Sequence, residues 1–249
     1  KWDYIMKISD NENIVHGYDG SCHAPSSALA SSVKKRGHKK EDEFAQRICG
    51  NVEKGTKKPD VIKGDDRYSV KGALTNIQFL LLSIKKSESF YGSNHPVYKY
   101  QLAGYNHKKF KFDNGGLIMR SLFDEFINSA DEVIEWLSDK DNFRFVIEKV
   151  ISDGYDVNKL VVLKETTQDA LVYDMRNVVD HYVNSNYKVR VTKGAKIVVD
   201  YDDKEIFYLE IRGSVGKIGS MNHGCRAPQF YNFLQENLTY GVVSKWKHP

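Results

Sequence analysis

Pro59-Asp60-Val61-Ile62-Lys63-Gly64-Asp65-Asp66-Arg67-Tyr68-Ser69-Val70-Lys71 holds two short β-prone runs, 60–62 and 67–71, around a Lys63-Gly64-Asp65-Asp66 turn. Glycine beside aspartate between alternating runs signals a tight hairpin, because glycine reaches positive φ without a Cβ clash. A Gly64-Asp65 loop pairs Lys63 with Asp66 and sets Asp60 opposite Ser69. A loop at Asp65-Asp66 moves the partner of Asp60 to Lys71. Strand side chains alternate, so Asp60, Ser69 and Lys71 share one face in either register, and Tyr68 and Val70 point to the core. An acid, a hydroxyl and an ammonium on one face can hold a divalent cation and a phosphate. They can equally form a plain structural ion pair.

Upstream, Ser31-Ser32-Val33-Lys34-Lys35-Arg36-Gly37-His38-Lys39-Lys40 is a basic run leading into Glu41-Asp42-Glu43-Phe44-Ala45-Gln46-Arg47-Ile48. Phe44, Ala45 and Ile48 form an apolar helical stripe, and Glu41 falls on the same stripe. A carboxylate on the core side of a helix requires a partner or a metal, unless it only complements the helix N-terminal dipole. Lys34, Lys35, Arg36 and Lys39 are candidate phosphate contacts.

The Pro59-Asp60 … Ser69-Val70-Lys71 spacing resembles the PD…(D/E)xK signature of restriction-endonuclease-like nucleases. Gly37-x-x-x-Glu41-x-x-Phe44 is similar to the helix that precedes the hairpin in that family. The resemblance covers roughly residues 37–85. It implies an α/β (α+β) fold with a mixed central sheet flanked by helices. It also implies a Mg²⁺ site, with Mn²⁺ as a substitute, built on Asp60, Glu41 and the Val70 carbonyl. Lys71 then stabilises charge on the phosphate, or orients and deprotonates the attacking water. Ser69 stands where the family carries its second acid, and can give only a neutral oxygen or hold a metal-bound water. Chains of this length in the family resemble type II restriction endonucleases, which implies a homodimer cutting double-stranded DNA in the cytoplasm of a prokaryotic or virus-infected cell. A catalytically inactive DNA-binding protein on the same fold, and a repair or junction-resolving nuclease, are the competing readings.

The totals agree with a soluble protein. The 249 residues are 41% hydrophobic and 28% charged, with a net charge of +4, so one domain spanning 1–249 is expected. Its catalytic core would lie at about 31–165 and a DNA-recognition elaboration at about 185–249. No run approaches the ~18 apolar residues of a membrane helix, and no secretory leader pattern opens the residues given. Three cysteines, Cys22, Cys49 and Cys225, make no even disulfide framework, which points to reduced thiols. Residues 1–30 read as an irregular entry segment, with His16, Cys22 and His23 as ordinary loop side chains.

Further along, Leu74 to Lys86 reads as a helix packed on the sheet, with Gln78 one turn in. His107-Lys108-Lys109-Phe110-Lys111-Phe112 alternates like an exposed strand, whose basic face suits either phosphate contact or protection of a sheet edge. Helices are expected over 118–127, 131–137 (with Ser129 as N-cap), 143–151 and 175–182, and a buried strand over 159–163. Strands over 187–191, 196–201 and 206–211 form a C-terminal antiparallel meander. A helix over 229–238 and a short strand near 240–243 close the chain. Between meander and helix, residues 212–226 read as a Gly-rich loop. Either its Arg212, Lys217, Asn222, His223 and Arg226 reach DNA, or it is a plain surface loop.

Overall fold

Lys63 pairs with Asp66 and Val61 with Tyr68, so the hairpin closes on a two-residue turn in which Gly64 takes φ 59°. This is the register that sets Asp60 opposite Ser69. The turn is seen in a computed structural model that describes residues 7–8, 14–16, 27–53, 59–72, 75–163, 169–214 and 216–244. Side chains of 27–34 and of Arg36 lie outside the described set, as do Cys22 and His23 entirely.

In chain order, β1 (Lys7–Ile8) and β2 (Ile14–His16) precede α1 (Ser27–Ile48). Then come β3 (Asn51–Val52), β4 (Val61–Lys63), β5 (Asp66–Lys71), β6 (Asn76–Leu82), α2 (Ile84–Tyr91) and α3 (Pro96–Asp113). β7 (Leu117–Met119), α4 (Arg120–Ser138), α5 (Lys140–Ile151), β8 (Lys159–Leu163), β9 (Ala170–Asp174) and α6 (Met175–Asn184) follow. The last part holds β10 (Tyr187–Val191), β11 (Ile197–Tyr201), β12 (Lys204–Ile211), β13 (Met221–Arg226), α7 (Ala227–Gln235) and β14 (Gly241–Val243).

The strands form a mixed sheet in the order β14-β9-β8-β5-β4-β3, an antiparallel sheet in the order β10-β11-β12-β13-β6, and a small β1-β2-β7 sheet. In the mixed sheet β5 and β8 run parallel and the other pairs antiparallel. The fold is therefore mixed α and β, and the expected meander is present as β10-β11-β12. No helix among the described residues is long and apolar enough to cross a membrane.

Two cores result. Phe44 and Ala45 of α1 pack with Val61, Tyr68, Val70, Val161 and Leu163 on one face of the mixed sheet. Leu160 and Val162, on its other face, join the larger core between the antiparallel sheet and the helices. Ser69 is in register with Leu160, and Lys71 with Val162. The Asp60, Ser69 and Lys71 face is thus the one turned away from α1.

Several expectations are corrected. Residues 76–82 are strand β6, not part of a helix: Ile77 and Phe79 are buried while Asn76 and Gln78 are exposed. Residues 107–112 belong to helix α3, started by His95 and by Pro96 at its first turn. His107 is buried there, so no alternating basic strand face exists. Residues 120–138 are one helix, and Ser129 is buried inside it, its hydroxyl donating to the Phe126 carbonyl at 2.8 Å. The small-residue run from Ser27 is already helical, and strands β1 and β2 lie within the segment expected to be irregular.

Candidate active site

Asp60 sits just before β4, and its backbone N–H donates to the Tyr68 carbonyl at 2.8 Å, which extends the hairpin ladder by one bond. Its side-chain Oδ2 accepts from three donors of β5. These are the Val70 N–H at 2.7 Å, the Ser69 hydroxyl at 3.3 Å and the Lys71 ammonium at 3.3 Å. Oδ1 accepts no hydrogen bond among the described residues. Lys71 also donates to the Val70 carbonyl at 3.3 Å. Burial pushes the Asp60 carboxyl up, but the Lys71 charge and the hydrogen bonds from Val70, Lys71 and Ser69 outweigh it and hold the group below the usual carboxylate range. The carboxylate is thus charged and fixed, with one oxygen committed to the protein and the other left over.

The hairpin is clamped from outside. Asn158 accepts from the Arg67 N–H at 2.9 Å and donates to the Asp65 carbonyl at 3.1 Å, so the residue just before β8 holds the turn and the start of β5. No local pattern marks Asn158 for this, because its partners lie far away in sequence.

Glu41 reaches a different place. Its Oε2 lies 3.0 Å from His38 Nδ1, and it makes no hydrogen bond or ion pair with Asp60, Ser69 or Lys71. α1 packs on the opposite face and meets the end of β5 through Lys40, which donates to the Gly72 carbonyl. Among the described residues no cluster of three or more His, Cys, Asp or Glu side chains could hold a metal.

The other candidates scatter. Lys35 and Lys39 are exposed on α1, and Lys39 lies 3.8 Å from Glu43. Lys34 and Arg36 are on α1 too, with side chains outside the described set. On α3, Lys109 pairs with Asp113 at 2.6 Å, and the Lys108 stem lies against Gly213. Lys217 is exposed in the connection between β12 and β13. Asn222 and His223 are in strand β13 rather than a loop, and they are 3% and 0% exposed, so solvent does not reach them. His223 meets the Tyr91 hydroxyl at 2.8 Å. Arg212 and Arg226 are paired across the sheet to Gln78 and Asn76 at 2.9 and 2.8 Å. Cys49 and Cys225 are free thiols, the first exposed and the second buried.

No family model matches this chain, and no curated protein is significantly similar to it. What the site can do therefore rests on its own geometry.

Proposed function

We propose that the chain is a Mg²⁺-dependent endodeoxyribonuclease that hydrolyses double-stranded DNA at a short specific site, a type II restriction endonuclease of the PD-(D/E)xK kind acting as a homodimer. The observation that carries this is the convergence of the Val70 N–H, the Ser69 hydroxyl and the Lys71 ammonium on one oxygen of Asp60. The sequence spacing of the resemblance is thereby a side-chain constellation on one face of a hairpin. A mixed sheet with a helix ahead of the hairpin, separated from it by β3, adds support for the restriction-endonuclease-like fold.

Magnesium takes oxygen ligands and is commonly held by one or two carboxylates with waters and substrate phosphates. Asp60 Oδ1 and the Val70 carbonyl are such oxygens, so the donor set fits a hard cation, although it is a sparse one. Mn²⁺ takes the same ligands. Glu41, paired with His38 on the α1 side of the sheet, adds no ligand to this set. The ion would supply charge neutralisation at the phosphate and a more acidic water. Of the chain's own groups, Lys71 brings an ammonium beside Asp60 for the scissile phosphate, and Ser69 helps to fix Oδ2 so that Oδ1 faces outward from the hairpin bonds.

Incubation of the full chain with plasmid DNA and Mg²⁺ tests this. Discrete fragments, lost with EDTA and lost in Asp60→Ala and Lys71→Ala, are expected. Cleavage unchanged in both variants sinks the site assignment. A second reading, a DNA-binding protein without activity, is favoured by Ser69, which is 1% exposed where a second acid would be needed. It predicts a gel shift with no cut, whereas smearing or structure-dependent nicks indicate a repair or junction nuclease.

A further inference from the structure

Strand β6 lies at one end of its sheet, beside β13. Its register with β13 sets Asn76 opposite Arg226 and Gln78 opposite Gly224, and a bulge follows at Phe79. Asn76 and Gln78 therefore stand two residues apart on the polar face of an edge ribbon, and both are exposed. Each is held by an arginine: Arg226 Nη1 donates to Asn76 Oδ1 at 2.8 Å, and Arg212 Nη2 donates to Gln78 Oε1 at 2.9 Å.

A guanidinium has five donors and no acceptor, so the amide oxygen must be the atom that faces it. What each pair has left to offer is then mostly hydrogen-bond donors, the amide NH₂ and the remaining guanidinium N–H groups, against one remaining lone pair on the amide oxygen. Arg226 also lies 3.4 Å from Glu205, a carboxylate that it shares with Lys196 at 2.8 Å, so its charge is partly offset. A fixed, donor-rich fork matches a base edge carrying two acceptors. In the major groove guanine O6 and N7 are that edge, while adenine interposes a donor and cytosine presents one. The major groove also admits a two-stranded ribbon.

We infer that the Asn76–Arg226 and Gln78–Arg212 pairs form a base-reading surface for G·C pairs in duplex DNA. Strand rise places the two residues roughly 6.7 Å apart, which spans about two base-pair steps. The surface thus reads two G·C pairs separated by one pair. This rests on the nuclease reading only for the choice of DNA as ligand. It replaces a reading loop with a strand that the chain reaches five residues after Lys71.

Selection from a randomised duplex library, using the full chain with Asp60→Asn to block cutting, tests the inference. The expected product is a motif with two G·C pairs two steps apart. Asn76→Ala and Gln78→Ala should each lose preference at one pair by about tenfold or more, with binding to unrelated duplex changed less than about threefold. Gln78→Glu keeps an acceptor for Arg212 but removes the amide donors, so preference at its pair should move toward cytosine, whose N4 is a donor. Thermal unfolding of each variant shows that the fold is intact. A motif unchanged in all three variants, an even loss over all sequences, or no enriched motif overturns the inference. Plasmid cleavage by the unsubstituted chain is scored separately. Cutting with an unchanged motif defeats only the base-reading surface, and an altered motif without cutting defeats only the nuclease.

Discussion

Replacing Lys71 with methionine removes the ammonium and keeps the length of the stem. The pair it breaks is 3.3 Å long, with side chains 15% and 20% exposed. Exposed ion pairs contribute about 0–1 kcal/mol, and breaking a fully buried one costs about 3–5 kcal/mol. With most of both side chains covered but each still touching water, Lys71→Met should cost about 2 kcal/mol at pH 7. The loss must depend on pH. Asp60 has a folded pKa below its unfolded value, so its stabilisation is whole above the unfolded carboxylate value of 3.8 and is lost as pH falls through the folded one. In Lys71→Met the charge and hydrogen bond of Lys71 no longer lower the Asp60 pKa, and Asp60 protonates more readily. The gap between the two proteins should accordingly close as pH falls below about 4. Urea unfolding at pH 7, 5 and 3.5 measures it, and adding Asp60→Asn to the variant should recover part of the loss. An equal gap at pH 7 and 3.5 would assign the effect to packing of the stem, and no gap at pH 7 would refute the pairing as a source of stability.

Three further outcomes are expected. His107 lies against Phe123 and Phe126, and burial, with Lys108 and Lys111 adding to it, pushes its pKa down from 6.5 to about 4. The unfolded chain takes up the proton first, so stability is whole above pH 6.5 and falls toward pH 4; between pH 7 and 5 it should drop by about 2 kcal/mol more than in His107→Phe, as calorimetry at the two pH values would read. A Cβ at Gly224 would run into the Ile77 carbonyl and sit 2.8 Å from the Tyr208 hydroxyl, so Gly224→Ala should lose about 2–3 kcal/mol in urea, and a loss under about 0.5 kcal/mol would contradict the close strand approach. Ser69→Asp restores a second strand acid beside Asp60 and should lower the Mg²⁺ concentration for half-maximal cleavage; a higher requirement would mean that the two carboxylates do not share an ion.

Much of this is legible in the sequence where local rules and tertiary packing agree. The hairpin follows from Gly64 and the alternation around it, and the strand at 159–163 from its β-branched run. β6 is hidden because its bulge leaves Phe79 unopposed and makes Phe79-Leu80-Leu81-Leu82 an unbroken apolar run, which reads as a helix. β13 is hidden for the opposite reason: Asn222, His223 and Gly224 are poor strand formers, and only their neighbours Tyr208, Leu209 and Tyr91 account for them. The stripe on α1 correctly placed Phe44 and Ala45 against the sheet. It could not tell which face, because that depends on Val161 and Leu163 of β8. For the site, hairpin parity sufficed to join Asp60, Ser69 and Lys71, while Asn76 and Gln78 became visible only with their arginines in place.

The order in which the sheets close has a consequence for how the protein is made. Arg67 and Asn158, which clamp the hairpin, are 91 residues apart, and Asn76 and Arg226 are 150 apart. Contacts this distant in sequence close late and slowly. A chain emerging from the ribosome therefore exposes Asp60 and Lys71 well before β8 can fix them, and β6 waits for β13, far along the chain. On the proposed function, cutting and sequence reading would mature together in time, and an unfinished chain would carry Asp60 and Lys71 with no frame to align them.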